Sequence, residues 1–447
     1  MQEGLFLYTH NVSPYDGGVF HQVPLTSPFH SKVIFPGQSL MNWIQAPLLL
    51  PLFSLLPNPS SHPFATNALY TLIDLLAAHA LMTIASTGQS VSSYFFTSSR
   101  KDLRWSTVAI GASFLFNPFT ILTCIARATS AISNLFILTA MAKAAEGKSF
   151  GFIFALSVAS YLGMHPVLLF PPLVLLCYGV RAQNLSSQSP SKPPPNIWTF
   201  SITHFLGLST AIGTLLALSF LLTGSWEFLP STYGVRLLLP DLTPNVGLWW
   251  YFFTEMFDSF REFFLGVFWL HAASYTGGLT IRLWRQPLFV AVSLVGIAAV
   301  FGPYPSIADA GVYLSLVPVF RHLFPRKCIP FDFCGLGVVV WGCGLCFEDG
   351  GWGDDGLMMT WDIMLTVAVM RYSFLASATI LYSSFLGPAF YYLWIYAGSG
   401  NANFFYAITL VWSLGLSIVV GDSLFAALRD ELDVERPELR GKEVQRI

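Results

Sequence analysis

Two asparagines in an aromatic segment are the residues of this sequence best suited to bind a specific polar partner. Asn401 and Asn403 lie in the stretch Trp394-Ile-Tyr-Ala-Gly-Ser-Gly-Asn-Ala-Asn-Phe-Phe-Tyr406, directly before the uncharged run 407–421. A buried amide without a partner costs roughly 2–7 kcal/mol, so we expect both side chains to form specific hydrogen bonds. Capping of the following helix is the structural alternative, because asparagine is a good N-cap residue.

An acidic residue near the start of the chain could act in catalysis. Asp16 lies in a turn-forming segment, Ser13–His21, which contains Pro14 and a Gly-Gly pair. A membrane glycosyltransferase that uses a dolichol-linked sugar needs an acid in its first luminal loop as a general base. The nearest other acid is Glu3, so the second carboxylate that such enzymes often carry is missing. The structural alternative is that Asp16 stabilises the turn and has no catalytic role.

A second acidic group recurs at helical spacing. Glu255, Asp258 and Glu262 follow one another at i, i+3 and i+7, which places them on one face if the helix is continuous. Aromatic residues cover much of the remaining surface, and Phe260, Phe263 and Phe264 are the candidates for contact with lipid. The pattern predicts a helix in the membrane interface, whose acidic side faces water or a partner protein.

Other polar residues interrupt apolar sequence. Arg127 is expected at a membrane face or paired inside the bundle, where an ionisable group is a functional candidate. Asp309 is expected to cap a helix together with Ser306. The pair Cys343 and Cys346 has metal-like or redox-like spacing but lacks a second pair and nearby histidines, so we predict no metal site and no cofactor. Further polar interruptions are Asn117, Ser130, Asn134 and, near the end of the last helix, Asp422.

The composition indicates which elements must position these residues. The 447 residues are 54% hydrophobic, 16% aromatic and only 10% charged, with a mean hydropathy of +0.60. The net charge of −2 gives no basic field for a nucleic acid. We therefore predict an all-α polytopic membrane helix bundle with about 9–11 spanning helices, some broken by proline. The candidate segments are 41–57, 65–87, 105–125, 131–146, 150–178, 197–223, 245–271, 286–303, 307–324, 333–347, 357–391 and 403–428.

The domain organisation follows from the same pattern. We predict a single multi-pass membrane domain over 1–432 and a charged cytosolic tail over 433–447. No cleavable signal is apparent at the start. The basic residues are spread over several loops, so the positive-inside rule does not predict an orientation.

Five runs of the sequence resemble one known family. The chain is similar to the PIG-U family, the multi-pass subunit of the GPI transamidase of the endoplasmic reticulum, from about residue 4 to about residue 432. The family ordinarily has a membrane helix before the first run, so we expect a further segment there. Relative to the family pattern, 26–45 and 325–366 look like insertions. The matching runs are Ser13–His21, Asn117–Cys124, Pro240–Gly247, Tyr251–Phe257 and Trp394–Thr409.

The resemblance implies a role in attaching glycosylphosphatidylinositol (GPI) to proteins. Another subunit, with a Cys/His pair, would carry out catalysis, and this chain would recognise the GPI lipid, scaffold the other subunits, or both. Both asparagines of the family motif are present as Asn401 and Asn403, where amide groups can hold inositol hydroxyls or phosphate oxygens. The expected GPI-binding residues are Asn401, Asn403, Tyr396, Phe404 and Phe405, and the expected lipid-facing or interface residues are Phe260, Phe263, Phe264, Glu255 and Asp258.

An enzyme remains the alternative. The bundle is distantly like the membrane domains of dolichol-sugar glycosyltransferases, and a mannosyltransferase of GPI biosynthesis that uses dolichol-phosphate-mannose would rely on Asp16. The expected partners are the other GPI transamidase subunits, the GPI glycolipid and membrane lipids, with no nucleic acid. The expected location is the endoplasmic reticulum membrane.

Overall fold

The computed structural model is a bundle of α-helices, and within the residues that it describes the only extended pairing is an isolated bridge between Ser92 and Thr97. It describes residues 46–54, 62–188, 194–239, 242–323 and 373–439. The helices are α1 (Leu49–Ser54), α2 (Pro63–Ser86), α3 (Thr107–Leu115), α4 (Pro118–Ile125), α5 (Ser130–Ala145), α6 (Ser149–Leu162), α7 (Phe170–Gln188), α8 (Ile197–Thr223), α9 (Val235–Leu238), α10 (Trp249–Thr254), α11 (Asp258–Arg282), α12 (Pro287–Phe301), α13 (Ile307–Leu316), α14 (Ser373–Ile395) and α15 (Ala402–Glu435).

The prediction that some helices are broken by proline is confirmed at Pro118. Proline has no backbone N–H and disrupts a continuous helix, so the axes of α3 and α4 meet at 50°. Asn117 caps α4 by accepting a hydrogen bond from Phe119 N at 3.0 Å. The same side chain donates to Gly311 O and Ser315 Oγ of α13, at 3.2 and 3.1 Å. Asn117 is therefore a structural residue that joins the broken helix to its neighbour.

Two of the predicted spanning segments are divided. The segment 150–178 breaks at Gly163, whose backbone is extended, and continues as a 3₁₀ turn, His165–Leu169, before α7 begins. The segment 245–271 breaks between α10 and α11, where Phe257 has extended backbone angles of φ −64° and ψ 136°. A break by proline is confirmed in 150–178, where Pro166 lies three residues after Gly163, whereas the prediction of a continuous helix through Glu255, Asp258 and Glu262 was wrong.

Four helices are long and apolar enough to cross a membrane within the described parts of the chain. They are α2, the 3₁₀ turn with α7, α8 and α15, and the bent pair of α3 and α4 makes a fifth. Shorter apolar helices, among them α12, fill the centre, where Leu288, Val290 and Ala291 are completely covered. The total of nine to eleven spans stays a prediction, because 1–45 and 324–372 lie outside the described residues.

Basic side chains that are scattered in the sequence meet at one end of the bundle. Phe95, in the loop after α2, contacts Trp284 after α11, with ring centroids 5.3 Å apart. Arg100 of the same loop forms a 2.8 Å ion pair with Asp433 of α15. We call this the basic end. Its basic residues are Arg100, Lys101, Arg104, Lys143, Lys148, Arg181, Arg282, Arg285, Arg321, Arg429 and Arg436.

The charged segment after Arg429 is more buried than expected. Helix α15 continues to Glu435, and Asp430 and Asp433 are 1% and 3% exposed. Asp433 pairs with both Arg100 and Arg429, at 2.8 and 3.1 Å. A buried carboxylate needs such partners, because desolvating its charge is costly. The prediction of a solvated tail from 433 onward was therefore wrong for its first residue, which belongs to the packed bundle.

The opposite end carries the asparagines. Among the described residues, its basic side chains are Arg127, Arg236 and Arg261. Arg127 is half-buried just after α4 and donates to Asn67 at 3.1 Å, so it lies at this end rather than in the middle of the bundle. We call this the asparagine end, and it includes α10, the start of α11 and the turn between α14 and α15.

Candidate functional site

The turn between α14 and α15 has a backbone that only certain residues can adopt. Gly398 has φ +63°, in the left-handed region that favours glycine. Gly400 approaches α14 so closely that an added Cβ would lie 2.8 Å from the backbone N of Trp394. The backbone N–H groups of Ser399 and Gly400 both donate to Leu393 O at 3.0 Å, which closes the end of α14. These constraints fix where Asn401 begins the next helix.

Both asparagines use their side-chain oxygen to hold the protein together. Asn401 is the N-cap of α15, and its Oδ1 accepts from Asn403 N at 3.1 Å. The Oδ1 of Asn403 accepts a hydrogen bond from the Tyr251 hydroxyl of α10. Both asparagines are exposed, and no described residue hydrogen-bonds to either side-chain NH₂ group. The cap expected as the structural alternative is therefore present, and both amide NH₂ groups remain available as donors.

A cluster of aromatic rings packs against this turn. Trp250, which is 4% exposed, packs against Phe405 with centroids 5.9 Å apart. Trp394 and Tyr391 complete the cluster. Phe405 itself is 5% exposed, so this predicted ligand contact supports the turn instead of reaching the surface. Tyr251 packs against this cluster and stacks on Tyr406, with ring centroids 4.5 Å apart and an interplanar angle of 28°.

Two predicted aromatic residues do reach the surface beside the asparagines. Tyr396 and Phe404 are each 59% exposed. Tyr396 stacks on Tyr392 at 5.7 Å, and Phe404 stacks on Phe390 at 5.8 Å. Exposed rings beside polar groups are typical of the membrane interface. We call Asn401, Asn403, Tyr251, Tyr396 and Phe404 the asparagine patch.

The acidic group predicted on one helix face is divided by the break before α11. Glu255 is the C-cap of α10, whereas Asp258 begins α11 and Glu262 lies one turn later, and all three are exposed. The prediction that these three carboxylates lie on one face of a continuous helix was therefore wrong. Removal from water, followed by the neighbouring Glu255 carboxylate, raises the pKa of Tyr251. The Tyr251 hydroxyl, which donates to Asn403 Oδ1, therefore also lies close to the Glu255 carboxylate.

The aromatic residues of α11 occupy two environments. Phe260 and Phe263 are 56% and 66% exposed, which fits the predicted contact with lipid or a partner. Phe264 is half-buried and packs edge-on against Phe252 at 5.5 Å. Phe264 therefore anchors α11 to α10, the helix that carries Tyr251.

The remaining sequence candidates are structural or lie outside the described residues. Asp309 forms the predicted cap, since its carboxylate accepts from Ser306 N at 2.9 Å and Ser306 Oγ accepts from Asp309 N at 3.4 Å. Asp16, Cys343 and Cys346 fall in stretches that the structure does not describe. No group of three or more metal-binding side chains occurs in the described ranges.

Sequence reasoning overlooked Tyr251 and Trp250. Both precede the acidic residues that drew attention to this segment, and tyrosine and tryptophan are common in any membrane protein. The signal that could have identified Tyr251 is its place at the start of the family-like run Tyr251–Phe257. Only the fold shows that this run contacts the asparagines, which lie 150 residues later in the chain.

The fold and the patch together define an all-α membrane helix bundle with a polar and aromatic surface at one end. A family model described as "GPI transamidase subunit PIG-U" matches residues 1–345 and 356–412. The chain therefore belongs to the PIG-U family of GPI transamidase subunits. The match includes 26–45 and is interrupted at 346–355. That 26–45 and 325–366 are insertions stays a prediction.

Curated relatives match over nearly the whole chain. The chain is 30% identical over 429 residues to the GPI-anchor transamidase component PIGU of Homo sapiens, which covers 96% of this chain and 85% of the human protein. It is 29% identical over 446 residues to the GPI transamidase component GAB1 of Saccharomyces cerevisiae, covering 100% and 88%. None of these names describes a mannosyltransferase, so that alternative is not proposed.

Proposed function

We propose that this chain is a non-catalytic subunit that recognises the GPI lipid in the endoplasmic reticulum membrane and assembles with the other GPI transamidase subunits. The names of the relatives support membership of the complex. An amide side chain does not titrate near neutral pH and is a poor nucleophile, so the asparagine patch suits binding rather than catalysis. Amide transfer would then belong to a peptidase-like partner subunit.

This proposal rests on the different roles of the oxygen and the NH₂ group in each asparagine side chain. The two Oδ1 atoms accept hydrogen bonds from Asn403 N and from the Tyr251 hydroxyl. The two NH₂ groups are left to donate outward, which suits a ligand rich in acceptors, such as a phosphate or a hydroxylated inositol ring. Tyr396 and Phe404 would lie against the apolar part of the glycolipid, where the headgroup joins its acyl chains.

The distribution of charge supports a luminal position for the patch. Basic residues in loops favour the cytosolic face of a membrane protein. Eleven basic side chains occupy the basic end, whereas three occupy the asparagine end within the described residues. The basic end would therefore face the cytosol and the patch the lumen of the endoplasmic reticulum.

The test must separate helix capping from ligand binding. Serine is as good an N-cap as asparagine, so Asn401→Ser keeps the cap and removes the amide donor. Combined with Asn403→Ala, it would be expressed in cells that lack the endogenous subunit. We expect transamidation of a GPI-anchored reporter to fall, while the transamidase subunits still co-purify with the variant.

A matched control is available on α11. Glu262→Gln changes an exposed polar residue at the same end of the bundle, outside the patch. We expect this variant to behave like the wild type. If Asn401→Ser with Asn403→Ala supports the same transamidation as the control, the patch does not bind the substrate lipid. Loss of co-purification in the double variant would instead show that the patch serves assembly.

A further inference from the structure

A group of basic side chains lies where the bent span of α3 and α4 begins, at the basic end. The loop 87–106 carries Lys101 and Arg104, both exposed, shortly before α3. Arg104 Nε donates to Lys101 O at 3.1 Å, which holds these two residues together. Arg321, in a 3₁₀ helix that follows α13, lies over the Trp105 ring, with its Cζ 4.2 Å from the ring centroid. We call Lys101, Arg104, Trp105 and Arg321 the cationic cluster.

The cationic cluster carries charge that the protein does not neutralise. Six of the eleven basic side chains at this end form ion pairs with acidic side chains. Lys101 and Arg104 form no ion pair with a described residue, and Nη1 and Nη2 of Arg104 donate to none. With the intervening Asp102, the cluster contains three positive charges and one negative charge. Its free N–H groups are therefore available to an anion.

A buried histidine beside the cluster lies in the same positive field. His322 follows Arg321 in the chain and is 1% exposed, and neither ring nitrogen has a hydrogen-bond partner among the described residues. The charged groups that act on this ring are the guanidinium groups of Arg100 and Arg104. Basic groups clustered in this way create a positive potential, which attracts anions.

The loop that carries the cluster is held in place by the bundle. Ser98 is 2% exposed, and its Oγ donates to Asp430 Oδ1 of α15 at 3.0 Å. At the other end of the loop, Gly88 has φ +68°, and an added Cβ would lie 2.8 Å from Arg104 Nη1. The absence of a side chain at Gly88 thus leaves room for the guanidinium. A site that is already ordered loses less entropy when a ligand binds.

The neighbouring residues place the cluster at the membrane surface. Trp105 lies two residues before Thr107, the first residue of the bent span, and tryptophan favours the membrane interface. Val108, in the first turn of α3, is 67% exposed, so it can contact acyl chains directly beside the cluster. Tyr94 and Trp284 at the same end are 42% and 46% exposed. The basic side chains therefore lie at the level of lipid headgroups.

We propose that the cationic cluster binds the headgroup of an anionic phospholipid, with the acyl chains along α3. Lys101 and Arg104 would donate to the phosphate oxygens, and the Trp105 ring would lie at the level of the glycerol. Clusters of Lys and Arg beside a spanning helix attract lipids of net negative charge. If the basic end faces the cytosol, as proposed above, this lipid belongs to the cytosolic leaflet, opposite the asparagine patch.

Native mass spectrometry of the purified full-length chain tests this proposal. The delipidated protein would receive an equimolar mixture of phosphatidylinositol, phosphatidylserine and phosphatidylcholine with identical acyl chains. Each basic side chain at an anionic surface contributes about fivefold to binding, so Lys101 and Arg104 together predict a preference of roughly 25-fold for the two anionic lipids. The preference should weaken as the ionic strength rises. Equal retention of the three lipids, or retention of none, would overturn the proposal.

Two double variants separate the cluster from the net charge of this end. Lys101→Gln with Arg104→Gln should lower the preference for anionic lipids by about 25-fold, and both positions are exposed, so the fold should persist. Lys143→Gln with Lys148→Gln removes the same charge from side chains that pair with Glu146, and it should retain lipids as the wild type does. An equal loss in both variants would show that net charge, and not the cluster, attracts the lipid.

Two other ligands are outcomes of the same experiment. Inorganic phosphate added alone should not be retained, because it lacks the acyl chains that contact α3. Retention of phosphate without a preference among the lipids would show a site for a free anion. Loss of co-purifying subunits from Lys101→Gln with Arg104→Gln, again without a lipid preference, would show binding to an acidic segment of a partner protein. Either result would overturn the proposal, and because lipid retention is measured without transamidation, neither bears on the asparagine patch.

Discussion

Removal of one hydroxyl group tests how Asn403 is oriented. Tyr251→Phe deletes the donor to Asn403 Oδ1 but keeps the ring that stacks on Tyr406 at 4.5 Å. Without this bond the Asn403 amide can rotate, and its NH₂ group no longer points outward. A neutral hydrogen bond contributes about 1 kcal/mol, which corresponds to roughly a fivefold change in an equilibrium constant. We expect the apparent affinity of the complex for GPI to fall by about that factor.

The assay is transamidation by isolated complexes that contain the variant, measured as a function of GPI concentration. The expected change is a higher half-saturating concentration of GPI with the same maximal rate. Asn403→Ala alone and together with Tyr251→Phe completes a double-mutant cycle. Because the hydroxyl acts through the amide, Tyr251→Phe should add little once Asn403 is alanine. Fully additive effects, or a Tyr251→Phe complex that matches the wild type, would refute this reasoning.

Three further substitutions test the supporting structure. Gly400→Ala places a Cβ 2.8 Å from Trp394 N, so we expect a displaced turn, lower transamidation and unchanged subunit co-purification. Asp433→Asn removes the charge that pairs with Arg100, and we expect about 2 kcal/mol less stability, seen as a lower thermal unfolding temperature in detergent. Gly415→Leu clashes with α14, because an added Cβ already lies 2.7 Å from Ile380, and we expect poor recovery of folded protein in size-exclusion chromatography. Wild-type behaviour of any variant would contradict the packing described for it.

The sequence predicted the helical class well because lipid restricts the possible structures. Long apolar segments without charge, such as 197–223, coincide with the observed α8, since only a helix satisfies the backbone of a spanning segment. The break at Phe257 was missed, because the spacing of Glu255, Asp258 and Glu262 fits one continuous helix. Hydropathy measures the environment of a segment, and it contains no information about where the backbone leaves the helical region.

The sequence predicted only those site residues that lie close to one another in the chain. Asn401 and Asn403 attract attention because amides are rare beside a spanning segment, and Phe404 and Tyr396 lie within reach of them in sequence. Tyr251 depends on a contact between segments far apart in the chain, which no local pattern contains. The grouping of the scattered basic residues at one end of the bundle likewise depends on contacts between segments that are distant in the chain.

Direct contact between the lipid and the patch is the most decisive measurement. Phe404 is 59% exposed and adjoins Asn403, so a photoreactive amino acid at this position would face a bound ligand. Complexes would be irradiated in cells that accumulate complete GPI. We predict a cross-linked glycolipid that a phosphatidylinositol-specific phospholipase releases, and its loss when Asn401→Ser and Asn403→Ala are combined. Cross-links to protein alone, or a glycolipid cross-link that survives the double substitution, would contradict recognition of GPI by these asparagines.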